Sequence, residues 1–458
     1  MPRAWWIIRC VPVIACVIAS AAIISAAGAE DESEDELYRA PEKPPDPRIK
    51  VGQITEQDPP PLPGQIVLPL PPDHRIATEA DEVPISAAHW QRAHDAIGKG
   101  LAFLRSMQDE GGAWMRQITA VPTDQPDKPS PIAVAVTALA VKAIVQVEPE
   151  ARRSAELRRA IRFIYAAKNE DGSFEGGALT NYVTSTVVSA LAGVDGFAFR
   201  DDIRAASGWL QLNQWDQSEG LSPRQDWFGG AGYGPQGRPD LSNTQMMLEA
   251  LYDAGLSPDE PAFQRALTFL TRTQNLKTTN SAAWAGRDGG FIYTAANGGE
   301  SMASEYAGEG RGGDELPPEA PRSLRSYGSM TYAGFKSLLY AGLSPDDARV
   351  RAAFDFIRRH WTFDENPGLG GQGLFYYYHA MSRALRIAQQ HTITDAEGRS
   401  HNWREELIDA IASRQEEDGS WKNEADRWLE GHPVMATVFA LLSLEEALKP
   451  VSGMTEEE

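Results

Sequence analysis

The stretch FLRSMQDEGGAW at residues 103–114 recurs along the chain, and this repeat decides the fold. Related copies are FIYAAKNEDGSF at residues 163–174 and AIASRQEEDGSW at residues 410–421. Each copy ends an apolar helical segment with a polar residue, a glycine turn and an aromatic side chain. A repeat of this kind indicates one supersecondary unit that is stacked, or closed on itself, around a shared core.

Two classes of helix alternate between residues 86 and 450, and they form six pairs. The first helix of each pair has apolar residues at i, i+3 and i+4 with charged residues between, which predicts one wet face. These helices are predicted near 88–107, 151–167, 201–213, 260–273, 347–360 and 402–414. The second helices are apolar or small nearly all round, and they are predicted near 131–146, 181–194, 241–254, 327–341, 375–390 and 433–447. Six outer and six inner helices predict an all-α fold, an α/α toroid (α6-α6 barrel).

The segment AGLSPD occurs twice, at residues 254–259 and 341–346, each time at the end of an inner helix. The glycine is suited to cap one helix, and the Ser-Pro-Asp that follows is suited to begin the next. The two copies are further apart than one repeat, and an insertion loop at about 295–322, rich in Gly, Glu, Ser and Pro, explains the excess.

The N-terminal segment 1–29 is interpreted as a signal peptide. Arg3 and Arg9 precede or flank an uncharged apolar run, and a small-residue cleavage site ends at Ala29. The chain is therefore expected to be exported to a periplasmic or extracellular location. Two alternatives stay open: an uncleaved segment that anchors the chain in a membrane, and a lipoprotein signal ending at Cys16. Residues 30–85 are predicted to be an acidic and proline-rich disordered linker, and residues 451–458 a polar tail.

Composition excludes several chemistries. Cys10 and Cys16 are the only cysteines, so beyond the predicted signal there is no thiolate nucleophile, thiolate ligand or disulfide. The formal net charge of −21 repels phosphate backbones, and we expect no nucleic-acid partner. The oligomeric state stays open.

The repeat resembles that of the terpenoid-cyclase and protein-prenyltransferase superfamily, whose hallmark is aromatic-aliphatic-x3-Gln-x(2–5)-Gly-x-Trp. Residues 103–114 match it fully, and residues 410–421 match it except at Ala410. The resemblance extends over roughly residues 88–448 and implies the toroid fold. It also implies that the repeated Gln and Trp residues are structural.

The resemblance breaks at the catalytic motifs. Squalene cyclases carry Pro-Asp-x-Asp-Asp-Thr, whose middle acid protonates an alkene, whereas residues 239–244 here are PDLSNT, with Ser242 at the acid position. A serine hydroxyl is too weak an acid for this step, so class II cyclisation is not expected. The prenyltransferase zinc site needs a cysteine. We therefore expect no metal and no cofactor.

The starts of the inner helices are predicted to line a central cavity. The candidate ligand-binding residues are Asp240, Tyr327, Tyr377, His379 and His432, and the candidate catalytic residues among them are Tyr377, His379 and Asp240. Three adjacent tyrosines with His379 offer hydroxyl groups, a base and flat faces, which suit an apolar or carbohydrate ligand. Asp240 is alternatively a helix N-cap.

Three functions follow from these patterns, and whether the chain is an enzyme stays open. The first is an exported toroid that binds an apolar or glycan ligand without class II cyclase or zinc prenyltransferase chemistry. The second is an extracytoplasmic polysaccharide lyase or hydrolase that uses Tyr377 and His379. The third is a terpenoid cyclase with a relocated acid.

Overall fold

The computed structural model describes residues 84–116, 128–175, 178–303 and 324–449, and these ranges contain twelve α-helices. The predicted signal peptide, residues 30–83 of the predicted linker, the 304–322 part of the predicted insertion and the tail lie outside the described residues. The odd-numbered helices are α1 Ala87–Ser106, α3 Ala155–Tyr165, α5 Arg200–Leu212, α7 Pro261–Thr273, α9 Ala348–Arg359 and α11 Trp403–Ala412. The even-numbered helices are α2 Pro131–Val147, α4 Thr180–Asp195, α6 Leu241–Asp253, α8 Gly328–Tyr340, α10 Leu374–Ile387 and α12 Pro433–Leu448.

The even-numbered helices form a closed inner ring. Each packs against the next in the order α2, α4, α6, α8, α10 and α12, and α12 packs back against α2. The odd-numbered helices surround this ring, and α1 contacts both α11 and α12, so that the first and last pairs meet. The prediction of an all-α toroid of six helix pairs is confirmed.

Hydrophobic patterning separates the two layers. Every residue of the inner helix α12 from Val434 to Ala447 is buried. The outer helix α3 buries only one stripe, formed by Leu157, Ala160, Phe163 and Ile164, and leaves its arginines near solvent. A helix with a single apolar stripe is stable only at the periphery, where its polar face meets water.

The repeated glutamines tie neighbouring outer helices together. Gln108 Nε2 donates to the carbonyl oxygen of Gly112 in its own turn and to that of Glu156 at the start of α3. Gln415 makes the equivalent pair of bonds to Gly419 and Ala96, so the last repeat is bonded to the first. This confirms the structural role that the resemblance implied for these residues.

A second repeated contact joins each turn to the following inner helix. The Thr137 hydroxyl of α2 accepts the backbone N–H of Trp114. Four other inner helices use a threonine in the same way, accepting from the residue two positions after the turn glycine: Thr184 from Phe174, Thr244 from Ala231, Thr331 from Phe291 and Thr437 from Trp421.

Two features differ from the predicted helices. The predicted helix at 151–167 begins later, at Ala155, because Ser154 accepts the Leu157 N–H as N-cap and a short 3-10 helix, Pro149–Arg153, precedes it. A two-stranded antiparallel hairpin, β1 Ile393–Thr394 and β2 Ser400–His401, lies between α10 and α11. Among the described helices, none has the length and apolar character needed to cross a membrane.

Candidate functional site

A small set of partly exposed residues interrupts the otherwise buried N-terminal halves of three inner helices. Within residues 180–191 of α4, every residue except Tyr182 is buried. Within residues 374–385 of α10, every residue except Tyr376 is buried. Within residues 241–251 of α6, every residue except Ser242 and Met246 is buried. Because outer helices surround this ring, we infer that these positions face the axis of the toroid. We call these four residues and the space they face the mouth recess.

Contacts at Tyr376 connect three of these helices, and Met246 lies one turn after Ser242 on the same face of α6. Gln245 Nε2 donates to the Tyr376 hydroxyl at 3.1 Å, which joins α6 to α10. Burial raises the pKa of Tyr376 well above its ordinary value, and a hydrogen bond with the Ser242 side chain opposes this rise. Tyr182 is close enough to Tyr376 to raise its pKa further. Hydroxyl groups from three helices therefore meet at the recess, and all stay protonated at neutral pH.

Asp240 begins α6 beside the recess and is 1% exposed. Its Oδ1 accepts the backbone N–H of Asn243 at 2.8 Å, and its Oδ2 accepts the Asn243 side-chain amide at 2.9 Å. Asp240 is thus the N-cap of α6, as one of the two interpretations predicted. Burial raises the pKa of Asp240 to about 6, and the hydrogen bonds from Asn243 oppose that rise.

Tyrosines surround Asp240. Tyr293 lies near its carboxyl group, and the Tyr293 hydroxyl donates to the Tyr233 hydroxyl at 3.4 Å. Tyr327, at the N-cap position of α8, is almost completely buried, and its pKa is raised well above the ordinary value by burial, then by Tyr376 and Asp240 nearby. The predicted residues Asp240 and Tyr327 are therefore brought together next to the recess.

His379 lies one helical turn beyond Tyr376 and is 8% exposed. Its ring stacks on Phe439 of α12 with a centroid distance of 5.8 Å, and the Tyr376 ring meets the same Phe439 edge-on. Burial lowers the pKa of His379 to about 4, and Lys336 and Lys142 lower it further while Glu249 opposes them. His379 is consequently neutral at pH 7.

Tyr377 is placed differently from the prediction. Its side chain is fully buried, its hydroxyl donates to the carbonyl oxygen of Thr362 at 2.9 Å, and its ring packs edge-on against Tyr332. Tyr378 similarly donates to the carbonyl oxygen of Phe363. Residues two apart on a helix do not share a face, so Tyr377 and His379 do not converge, whereas Tyr376 and His379 do. Tyr376 replaces Tyr377 in the candidate site.

His432 begins α12 as its N-cap, with Nδ1 accepting the backbone N–H of Val434 at 3.2 Å. Burial lowers its pKa, and the charge of Asp426 opposes this. A second buried carboxyl lies nearby: Glu430 accepts the backbone N–H groups of Phe375 and Tyr376 at the start of α10. Burial raises the pKa of Glu430 to about 7. Both side chains therefore accept backbone N–H groups at the N-terminus of an inner helix, His432 at α12 and Glu430 at α10.

A buried ion network occupies the other half of the ring, in the C-terminal halves of the inner helices. Lys142 pairs with Glu249 at 3.2 Å and with Asp253 at 3.0 Å, and Lys336 also pairs with Glu249. Arg383 continues the network to Asp253 and Glu446. The network joins five inner helices across the axis. Its charged groups Glu249, Lys336 and Lys142 are close enough to His379 to affect its pKa. We call it the bore network.

Within residues 84–116, 128–175, 178–303 and 324–449, no group of three or more His, Cys, Asp or Glu side chains is arranged to hold a metal ion. Asp346 and Asp347 precede α9, and Asp347 is the N-cap of that helix, since its Oδ1 accepts the backbone N–H of Arg349 at 2.8 Å.

Residues 85–285 match the family model of the squalene-hopene cyclase C-terminal domain. The predicted resemblance to the terpenoid cyclases is confirmed over these residues. No curated protein gives a significant match to the sequence.

Solved structures of low sequence identity are also similar. Type II terpene cyclase MstE from Scytonema is 13% identical, with a TM-score of 0.47 over 78% of this chain and 99% of that chain. A family 76 glycoside hydrolase from Bacteroides thetaiotaomicron is 9% identical, with a TM-score of 0.48 over 77% of each chain. Candida albicans protein geranylgeranyltransferase-I is 13% identical, with a TM-score of 0.44 over 76% of this chain and 90% of that chain.

Sequence analysis missed Gln245, Met246 and Phe439. The sequence does carry a signal for Met246. Met246 lies four residues after Ser242 on α6, so both occupy the same helix face, and that face begins at the position where the superfamily carries its acid. Nothing in the sequence distinguishes Phe439 from the other apolar residues of α12.

Proposed function

We propose that this toroid binds a small, uncharged and largely apolar ligand in the mouth recess, without class II cyclase or zinc prenyltransferase chemistry. The observation that supports it is the accessibility of Tyr182, Met246 and Tyr376 in helices that are otherwise buried. Aromatic faces and a flexible thioether are typical of sites for apolar bodies.

The chemistry of position 242 supports a binding role. Ser242 is partly exposed and lies near Tyr376, so a hydroxyl group occupies the position where the cyclase motif has its acid. The nearest carboxyl group on α6, Asp240, uses both oxygens to accept hydrogen bonds from Asn243. Its task in capping the helix accounts for both contacts without catalysis.

A binding assay tests the proposal. Isothermal titration or intrinsic fluorescence would follow the addition of a linear triterpene, a polycyclic terpenoid and neutral oligosaccharides to the folded protein. We expect Met246→Trp, which fills the recess, to weaken terpenoid binding at least about tenfold, or about 1.4 kcal/mol. Met107→Trp is the matched control, because Met107 is exposed at the C-cap position that follows the outer helix α1.

The outcomes separate the alternatives. Binding of oligosaccharides with no terpenoid binding would replace the apolar ligand by a glycan. Equal affinities for the Met246→Trp variant and the unmodified protein would remove the recess from consideration. A lyase or hydrolase that depends on Tyr377 is not supported, because the Tyr377 hydroxyl is already bonded to Thr362.

The raised pKa of Asp240 supports a second candidate function, a terpenoid cyclase in which the acid has moved to another position. Burial raises the pKa of this carboxyl group to about 6, so it is protonated in mildly acidic solution. Incubation of the protein with a linear triterpene at pH 5, followed by mass spectrometry of cyclic products, tests this candidate. Asp240→Asn is the decisive variant, because asparagine keeps the helix cap and removes the acid.

We further propose that the chain is exported and cleaved after Ala29. The support is the charged start, the apolar run and the small residues of the N-terminal segment. Mass spectrometry of the N-terminus after expression in a bacterial host tests it. A mature protein that retains residues 1–29 in the membrane fraction would favour the anchor instead.

A further inference from the structure

We infer that Gln245 and His379 recognise a hydroxyl group on the ligand, which makes that ligand an alcohol with an apolar body. This inference rests on the proposed function, and it specifies the chemical class that the mouth recess accepts.

Gln245 supplies the first observation. The residue is 1% exposed, and its amide nitrogen donates to the Tyr376 hydroxyl at 3.1 Å. Its Oε1 is buried and has no hydrogen-bond partner among the described residues. A buried acceptor without a donor is costly, by about 1–3 kcal/mol, so a donor brought by a ligand would be bound strongly.

His379 supplies the second observation, from a different helix. Its Nδ1 is also buried and has no hydrogen-bond partner among the residues that the structure describes. The ring is held by stacking on Phe439, which also contacts the Tyr376 ring. Tyr376 therefore links the two unpartnered groups, through a hydrogen bond to Gln245 and through a shared aromatic neighbour with His379.

The chemistry of the two groups selects an alcohol. A hydroxyl group donates one hydrogen bond and accepts others, so it can donate to Gln245 Oε1 while it accepts from Nδ1–H of the neutral imidazole of His379. A hydrocarbon would leave both atoms unpaired. A diphosphate or carboxylate would bring negative charge near Asp240 and would face the Gln245 carbonyl oxygen, which repels it.

The experiment compares ligands that differ by one hydroxyl group. Cholestanol and cholestane form one pair, and geranylgeraniol is compared with its diphosphate, with affinities measured by titration on the folded protein. We expect each alcohol to bind at least about tenfold more tightly than its hydrocarbon or diphosphate counterpart. The Gln245→Met and His379→Phe variants should reduce the cholestanol-to-cholestane ratio towards one.

The ratio within each variant is independent of how much folded protein the variant yields. Gln264→Leu is the control, because Gln264 is exposed on the outer helix α7 and should leave the ratio unchanged. Equal binding of cholestanol and cholestane by the unmodified protein would overturn the inference and leave the proposed function intact. Tighter binding of the diphosphate would also overturn it, whereas no binding of any of the four ligands would contradict the proposed function itself.

Discussion

Gly98 and Gly100 lie two residues apart in α1, yet a side chain at each would meet different surroundings. A Cβ at Gly98 would meet nothing within 4 Å, whereas a Cβ at Gly100 would lie 2.7 Å from Cζ3 of the buried Trp421. The missing side chain of Gly100 thus lets the first repeat approach the last.

We expect Gly100→Ala to lower the free energy of unfolding by about 1–3 kcal/mol, because the Trp421 ring is fully buried and has little room to move. Gly98→Ala, the matched control, should raise it by about 0.5–1 kcal/mol through helix propensity. Urea denaturation of both variants measures the effect. Equal changes in the two variants would show that Trp421 tolerates the added methyl group.

Asp240 predicts a pH dependence. Its folded-state pKa of about 6 lies above the ordinary value of 3.8, because burial disfavours the carboxylate. The carboxyl group therefore costs stability above pH 6, and this cost disappears as the pH falls below about 4. Relative to Asp240→Asn, the unmodified protein should gain up to about 3 kcal/mol between pH 7 and pH 4. Denaturation curves of both proteins at several pH values measure this, and a constant difference would contradict it.

At the scale of the element, the sequence predicted the positions of helices well and their rotation poorly. The alternation of amphipathic and apolar helices is strong enough to place all twelve within a few residues. Choosing among Tyr376, Tyr377 and Tyr378 requires more, because each step along a helix turns the side chain by about 100°. A shift of one residue in the helix start therefore exchanges the residue that faces the axis for one that faces the outer layer.

The site was also beyond prediction because its parts come from different helices. Gln245 and Tyr376 are 131 residues apart in sequence and meet only when the ring closes. The motif at residues 239–244 located Asp240 and Ser242 correctly at the start of an inner helix, but it carries no information about Phe439 or the bore network.

Each repeated threonine joins an inner helix to the turn before it, so we expect its replacement to lower the stability of the fold. Thr331 accepts the N–H of Phe291 and donates to the carbonyl oxygen of Tyr327, and it is fully buried. Thr331→Val keeps the shape but leaves the Phe291 N–H without an acceptor, so we expect a loss of about 1–3 kcal/mol. Thr278→Val, at an exposed position, should change stability by less than about 0.5 kcal/mol. Thermal or urea unfolding compares them; equal effects would exclude the contact as a source of stability.

At the scale of the whole molecule, the bore network holds charges in the centre of the ring. Lys336 is 2% exposed, and Glu249 is the anionic partner with which it pairs. Burial opposes ionisation of Glu249, but Lys336, Lys142 and Arg383 together keep its pKa well below the ordinary value.

We expect Glu249→Leu to cost about 3–5 kcal/mol, because it leaves Lys336 charged and buried without that partner. The double variant Glu249→Leu with Lys336→Met should recover part of this loss, since neither member of the pair is then unpaired. A double-mutant cycle measured by urea denaturation gives the coupling. The surface pair Asp201 and Arg204 is the control and should show little coupling. Additive losses at Glu249 and Lys336 would contradict the network.

The two boundaries of the described ring lie side by side. The Ser86 N–H donates to Glu405 at 2.7 Å, and the neighbouring Arg404 donates to the carbonyl oxygen of Ala447. Both ends of the described ring therefore contact the start of α11. We expect that the order of the helix pairs along the chain can be changed without changing the fold. A circular permutant would join residues 86 and 449 through a short linker and would begin and end at the exposed Ser257, between α6 and α7. We expect it to fold with the same helix contacts.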